Sequence, residues 1–303
     1  MKRRWNHSKT LTICSTPSMT SSNRILVMAT DGAMRWEELT GDEFPQAVAT
    51  AEGVCLLPLS CIERHAHHLP LGTDMYIGRD LCQRAAALEP AVIFPDFIFT
   101  QILEARHCAG TIAIDADLIV RLLDNTCREI ARNGLKKIVL VNAHGGNNSL
   151  IRFFLQIQLE SPRDYAVYVA EPPLSADDAA AVKAQWDSAI DGHAGESETS
   201  AILSIRPDLV QRDQLRADDE GMPRGRLRSL REQGVSTGIW WYADYPTHYA
   251  GDGNPATAEK GETLLAARAR ALAKAIRLVK DDTETMRLQD EFFSASQHGP
   301  AQA

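Results

Sequence analysis

The chain has 303 residues, 44% hydrophobic and 24% charged, the composition of an ordinary globular protein long enough to bury a large core. A formal net charge of −8 excludes the class of proteins built around the nucleic-acid phosphate backbone, which carry basic patches. No run approaches the ~18 apolar residues of a membrane span, and six cysteines without a CxxC pair speak against a disulfide framework or zinc ribbon. A cytoplasmic location is expected, with no nucleic-acid or membrane partner.

Residues 1–25 are rich in Ser, Thr, Lys and Arg without hydrophobic period and read as a flexible leader. One folded domain is expected over residues 26–282, then a flexible tail over 283–303. From Met34 the spacing is helical, with Thr40 and Glu43 placed as a capping box. The apolar run Val54 to Ser60 predicts a buried parallel strand, residues 75–89 a helix, and Ala91 to Phe99 a further strand interrupted by Pro95.

Ala116 to Gly134 predicts an amphipathic helix stopped by its glycine. Strand Ile138 to Asn142, a helix over residues 149–160 and strand Asp164 to Ala170 follow. Alternation of strand and helix points to one layered sheet covered by helices, with no domain boundary or internal repeat. Helices are also expected over residues 175–191 and, rich in alanine, from 256. Residues Asp208 to Ser236 read as a charged surface excursion or oligomer arm.

Polar clusters fall where the strands end or helices begin, the place where open α/β sheets put their ligands. Glu63, His65, His67, His68 and Asp74 follow the first buried strand; His144 with Gly145 and Gly146 follows Asn142; His193, Glu196 and Glu198 stand before a helix. In an extended segment Glu63 and His65 project to one side, and Asp74 can return across the Gly-Thr-Asp turn to face both. Two carboxylates and an imidazole suit a divalent metal such as Zn, Mn or Fe. If Asp74 uses both oxygens it can bridge two metals, with His144 and Glu198 completing the shells; such a pair implies hydrolysis.

Other residues have plainer readings. His67 and His68 are expected to support the ligands rather than join them. His107 lines the pocket or satisfies a loop carbonyl, while His7, His248 and His298, taken singly, read as structural or solvent-facing. Trp240, Trp241 and Tyr242 stand among loop-forming residues and are expected to close over a substrate or form a subunit contact.

The stretches LPLSCIERHAHHLPLGTD, NAHGGNNS, DGHAGESETS and YAGDGNPATAEKGE resemble, in order, the motifs of the creatininase (creatinine amidohydrolase) family, from about Leu39 to Leu278. The resemblance implies a three-layer α/β/α sandwich with a mostly parallel central sheet, a homohexamer, and two divalent ions per subunit. By matching position Glu63 and His144 would bind one metal, His65 the other, Asp74 both, and His193 would shuttle the proton. The implied reaction is attack of a metal-bridging hydroxide on the carbonyl of a small cyclic amide. A C–C hydrolase of a cyclic polyol ketone, a formamide or peptide amidohydrolase, and a non-catalytic metal-binding protein are the alternatives. One departure stands out: creatinine-hydrolysing members carry a metal-binding glutamate where this chain has Gly146. Glu198 is the candidate replacement, and creatinine itself is not the expected substrate.

Overall fold

The computed structural model describes residues 33–215 and 220–298. The expected leader, residues 1–25, with His7, lies outside the described residues. The chain runs β1 (Met34–Arg35), α1 (Phe44–Thr50), β2 (Val54–Leu59), α2 (Thr73–Leu88), β3 (Val92–Ile93), α3 (Ala116–Arg132), β4 (Lys137–Asn142), α4 (Asn148–Ile157) and β5 (Ala166–Val169). It continues through α5 (Ala176–Lys183), β6 (Asp191–His193), α6 (Glu196–Ile205), α7 (Arg228–Glu232), α8 (Trp240–Asp244), β7 (Ala250–Gly251), α9 (Ala258–Asp281) and α10 (Glu284–His298).

Strands β1, β3, β2, β4 and β5 form the main sheet in that order, every neighbouring pair parallel. Side chains alternate across a strand, and here both faces are apolar. Cys55, Leu57, Leu59, Ile138 and Leu140 pack with residues of α1, α3 and α4 on one side. Val54, Leu56, Val139 and Val141 pack with α2 and α9 on the other. The result is the expected three-layer α/β/α architecture, whose parallel strands read as continuous hydrophobic runs because they are covered twice. A separate antiparallel pair, β6 with β7, lies apart from this sheet.

Several local expectations change. The helix expected over residues 175–191 runs only over Ala176–Lys183, and Asp191 already belongs to β6. Met34 and Arg35 pair with Val92 and Ile93 as a strand rather than opening a helix; the capping contact survives, since the Thr40 N–H donates to the Glu43 carboxylate at 2.9 Å. The Ala91–Phe99 run pairs regularly only over Val92–Ile93, with an isolated bridge from Phe97 to Leu59, because Pro95 offers no N–H to a ladder. The segment expected to be a flexible tail from residue 283 is helical over Glu284–His298. Asp282 explains it: its carboxylate accepts the N–H groups of Glu284 and Thr285, an N-cap, and Gln289 then donates to the Tyr165 carbonyl.

Candidate active site

Each polar cluster is delivered by the end of an element. Leu59 of β2 stands beside Asn142 of β4, so the loops leaving the two strands bring Glu63, His65 and His144 together. Asp74 stands in the first turn of α2 and Glu198 in the first turn of α6. All but Glu198 are buried.

Asp74 lies between two groups. Its Oδ2 is 3.0 Å from His144 Nδ1, which is 2.9 Å from Glu63 Oε1. Its Oδ1 is 3.1 Å from His65 Nε2, with Glu198 Oε2 at 3.8 Å on the same nitrogen. Asp74 is common to the two halves, and Glu63 Oε1 also stands 3.9 Å from His65.

Hydrogen positions follow from the outward partners. His144 Nε2 can only donate to the Gln101 carbonyl, at 2.9 Å, and His65 Nδ1 only to the Glu63 carbonyl, at 3.3 Å. His193 Nε2 likewise faces the Arg64 carbonyl at 2.9 Å, leaving its Nδ1 4.0 Å from Glu198 Oε2. Each imidazole therefore donates away from the centre and turns its other nitrogen towards carboxylate oxygens. Glu63 Oε1 is buried without a hydrogen bond. Lone pairs facing carboxylates repel unless a cation or proton lies between them, and imidazole donating to a carbonyl behind it is the usual support of a metal ligand. The residues fit divalent ions.

The electrostatics agree. Burial would lower the pKa of His65, but Asp74, Glu63 and Glu198 reverse this and lift it to about 10. Burial opposes protonation of His144 too, and Glu63 with Asp74 pushes its pKa well above the ordinary imidazole value. Burial opposes ionisation of Glu63 and Asp74, yet the surrounding histidines hold both carboxyls below their usual range. His193 differs: burial first, then His65 and His248, lower its pKa against the pull of Glu63 and Glu198, which favours the neutral ring.

Two residues not expected beside the ligands belong here. Of the two plain readings of His248 the structural one holds, since it is buried and its Nε2 meets Glu63 Oε2 at 2.5 Å. Its Nδ1 accepts the Trp241 indole N–H at 2.8 Å; an indole only donates, so His248 must carry its proton on Nε2 and donate it to Glu63. Cys61 donates its thiol to Asp74 Oδ2 at 3.3 Å, and burial, then Asp74 and Glu63, push its pKa up, keeping it a donor.

Others part company with the centre. His67 joins Arg64 and Glu220, whereas His68 meets the Thr199 hydroxyl, beside Glu198, at 2.9 Å. Glu196 turns away to accept from Lys260 and the Ser188 N–H. Trp240, Trp241, Tyr242 and His107 share one wall of a cavity of about 980 Å³ that reaches Gly145 and Gly146. His107 packs edge-on against Tyr242 and meets the Pro246 carbonyl at 2.9 Å, so it lines the cavity and satisfies a loop carbonyl at once.

Gly146 has a physical reason to lack a side chain. A Cβ there would stand 2.4 Å from His144 Nε2 and 2.7 Å from Glu104 Oε1. Glu104, held by Gln101 Nε2 at 2.8 Å, occupies that space.

Fold and site together define an α/β/α protein that gathers carboxylates and imidazoles able to hold a divalent cation at the carboxyl ends of parallel strands. The chain belongs to the creatininase family: residues 37–276 match the family model for creatinine amidohydrolase. A creatinine amidohydrolase of Pseudomonas putida is 28% identical over 192 residues, 59% of this chain and 74% of that protein. A mycofactocin precursor peptide peptidase of Mycobacterium ulcerans is 31% identical over 220 residues, 70% of this chain and 79% of that one. A manganese creatininase structure shares the fold with a TM-score of 0.67 at 22% identity, covering 82% of this chain and 100% of its own; a zinc–zinc form of a creatininase mutant has the same TM-score and identity, covering 82% of this chain and 99% of its own.

Proposed function

We propose that this chain is a dinuclear-metal-dependent amidohydrolase that cleaves the C–N bond of a small amide. The observation that carries the reading is the orientation of His65, His144 and His193, each donating to a carbonyl behind it and offering a bare nitrogen to carboxylates. Glu63, His144 and Asp74 Oδ2 would hold one ion, and His65, Glu198 and Asp74 Oδ1 the other. Two ions of the Zn, Mn or Fe kind, when bound, supply Lewis acidity that acidifies water and polarises a carbonyl.

The chain's own groups do the rest. His193 has its Nε2 proton committed to the Arg64 carbonyl, so Nδ1 is the atom free to take a proton and pass it to the leaving nitrogen. Its lowered pKa keeps that nitrogen available at neutral pH. His248 holds Glu63 in place, and His68 steadies α6 through Thr199. Trp240, Trp241, Tyr242 and His107 wall the cavity and limit water around the substrate.

A small cyclic amide is the substrate form that the family suggests, with creatinine itself set aside because of Gly146. An open-chain amide is the second reading. It is favoured by a further cavity of about 740 Å³ that meets the first at Gly145, and by a relative named as a peptide peptidase. In this reading the enzyme is a cytoplasmic homohexamer. The buried, unpaired Cys55, Cys61, Cys82, Cys108 and Cys127 suit a reducing compartment, and the hexamer follows the family resemblance.

Metal analysis of the purified protein, followed by parallel assays with lactams, formamides and short peptides, tests this. About two divalent ions per chain and metal-dependent amide cleavage are expected, and Asp74→Asn should lose metal together with at least about 100-fold in activity. Full activity of the Asp74→Asn protein after chelation would overturn the reading.

A further inference from the structure

We infer that Arg268 anchors a carboxylate on the leaving-group side of the substrate, so that the preferred amides are those formed on the nitrogen of an apolar amino acid. This rests on the amidohydrolase reading above and names the substrate class of that site.

Arg268 belongs to α9 and lines the 740 Å³ cavity together with His144 and Glu198. It makes no hydrogen bond or ion pair among the described residues, whereas Arg270 and Arg277 of the same helix are bound to Asp178 and Glu89. Its side chain is exposed where it lines the cavity, and the neighbouring protein lowers its pKa against Glu198 and Asp191, which raise it. A guanidinium stays charged under such a shift.

The obvious alternative is that Arg268 merely offsets nearby acids, but those acids are committed elsewhere. Asp191 accepts from the Trp186 indole and from the backbone and hydroxyl of Ser197. Glu198 accepts the Ala194 N–H and faces His65 and His193. Glu171, in the same cavity, stands 3.8 Å from Arg152. A screening arginine would close on a carboxylate; this one keeps its fork of donors free for a bidentate partner.

The rest of the wall says what accompanies the anion. Ile77, Leu81, Val141, Leu264 and Leu272 are apolar, and Lys183 adds a second cation without an ion pair among the described residues. An apolar side chain ending beside a carboxylate matches this cavity. The leaving-group side follows from His193, the proton donor: it adjoins Gly192 and faces Glu198, and both line this cavity rather than the aromatic one.

In the reaction, water oxygen bonds to the carbonyl carbon and the C–N bond breaks. One water proton passes through His193 Nδ1 to the departing nitrogen, giving a carboxylic acid and a free amino acid without any redox change. The amide can come from an N-acylated amino acid or from the C-terminus of a peptide, which present the same chemistry.

The metal-loaded enzyme should be assayed with N-acetyl-leucine, N-acetyl-leucinamide and acetyl-Ala-Leu, beside calorimetric binding of the product leucine and its neutral analogue leucinol. A kcat/KM preference of about 100-fold for carboxylate over carboxamide is expected, falling close to 1 in Arg268→Gln and partly restored in Arg268→Lys, with metal content retained in both. Faster cleavage of acetyl-Ala-Leu than of N-acetyl-leucine would identify the peptide source, and the reverse the acylated amino acid. Equal use of acid and carboxamide, or a preference that survives Arg268→Gln, overturns the anchor while leaving the hydrolase reading intact. If no amide is cleaved the hydrolase reading fails, and binding decides the anchor alone. Leucine held more tightly than leucinol by wild type but not by Arg268→Gln supports it, and indifference overturns it.

Discussion

Trp241 settles the chemistry of a carboxylate it never touches. Its indole N–H occupies His248 Nδ1, which obliges Nε2 to donate to Glu63 Oε2, so that Glu63 Oε1 is the oxygen left facing His144. Replacing His248 with alanine should weaken binding of one metal ion by about 10- to 100-fold, measured by competition with a chromophoric chelator. Asn should be the mildest substitution, because it can donate and because residue 248 has a φ of 58°, a region that asparagine tolerates. Trp241→Phe, which releases the tautomer without removing the imidazole, should give a smaller loss. An His248→Ala protein with unaltered affinity for both ions would show that Glu63 needs no such support. Glu63, His65, Asp74 and His144 were legible in the sequence because each stands within a few residues of a strand or helix end with turn-forming neighbours. His248 was not, because it meets Glu63 across 185 residues of chain, and a solitary histidine in an aromatic loop gives no sign of which wall it will reach.

At the level of elements, α6 and α9 fix where Glu198 stands. They touch backbone to backbone: a Cβ on Gly261 would lie 2.0 Å from the Ser200 carbonyl oxygen, two residues beyond Glu198 on the same helix. Gly261→Ala should therefore push α6 outward and cost about 1–3 kcal/mol of stability, read in denaturant unfolding. Loss of one metal ion before the other is expected with it, since Glu198 moves while the loops leaving β2 and β4, which carry Glu63 and His144, stay in place. A Gly261→Ala protein of wild-type stability and metal content would mean that the contact has slack. Strands β2, β4 and β5 and the long helices α2, α3 and α9 were legible from their periods, but this close approach was not, because a glycine near a helix start has no periodic signature. The β3 segment shows the opposite limit: its apolar run from Ala91 to Phe99 promised a strand, and Pro95 left it two residues long. The same applies to α10, where the apolar content is low and a single capping aspartate, Asp282, carries the start of the helix.

For the molecule as a whole, the proposed metal centre is also a centre that attracts protons. With the metals stripped, the raised pKa values of His65, about 10, and of His144 favour protonation of both rings near neutral pH, the protons drawn there by Glu63, Asp74 and Glu198. Divalent ions bind the neutral imidazoles, so loading the stripped protein should release about two protons per chain near neutrality. The release appears as a dependence of calorimetric binding enthalpy on the ionisation enthalpy of the buffer. Its sign sets the pH dependence: as pH falls, protons compete more strongly and metal affinity must drop. Metal should correspondingly stabilise the fold, by about 2.7 kcal/mol at a free concentration 100 times Kd, and more at higher than at lower pH within the neutral range. Binding without proton release would mean that the stripped protein keeps these imidazoles neutral, leaving their bare nitrogens against the carboxylates. In that case some other rearrangement of Glu63 and Asp74 must relieve the repulsion, and the preformed site described by the geometry would not exist in the metal-free enzyme.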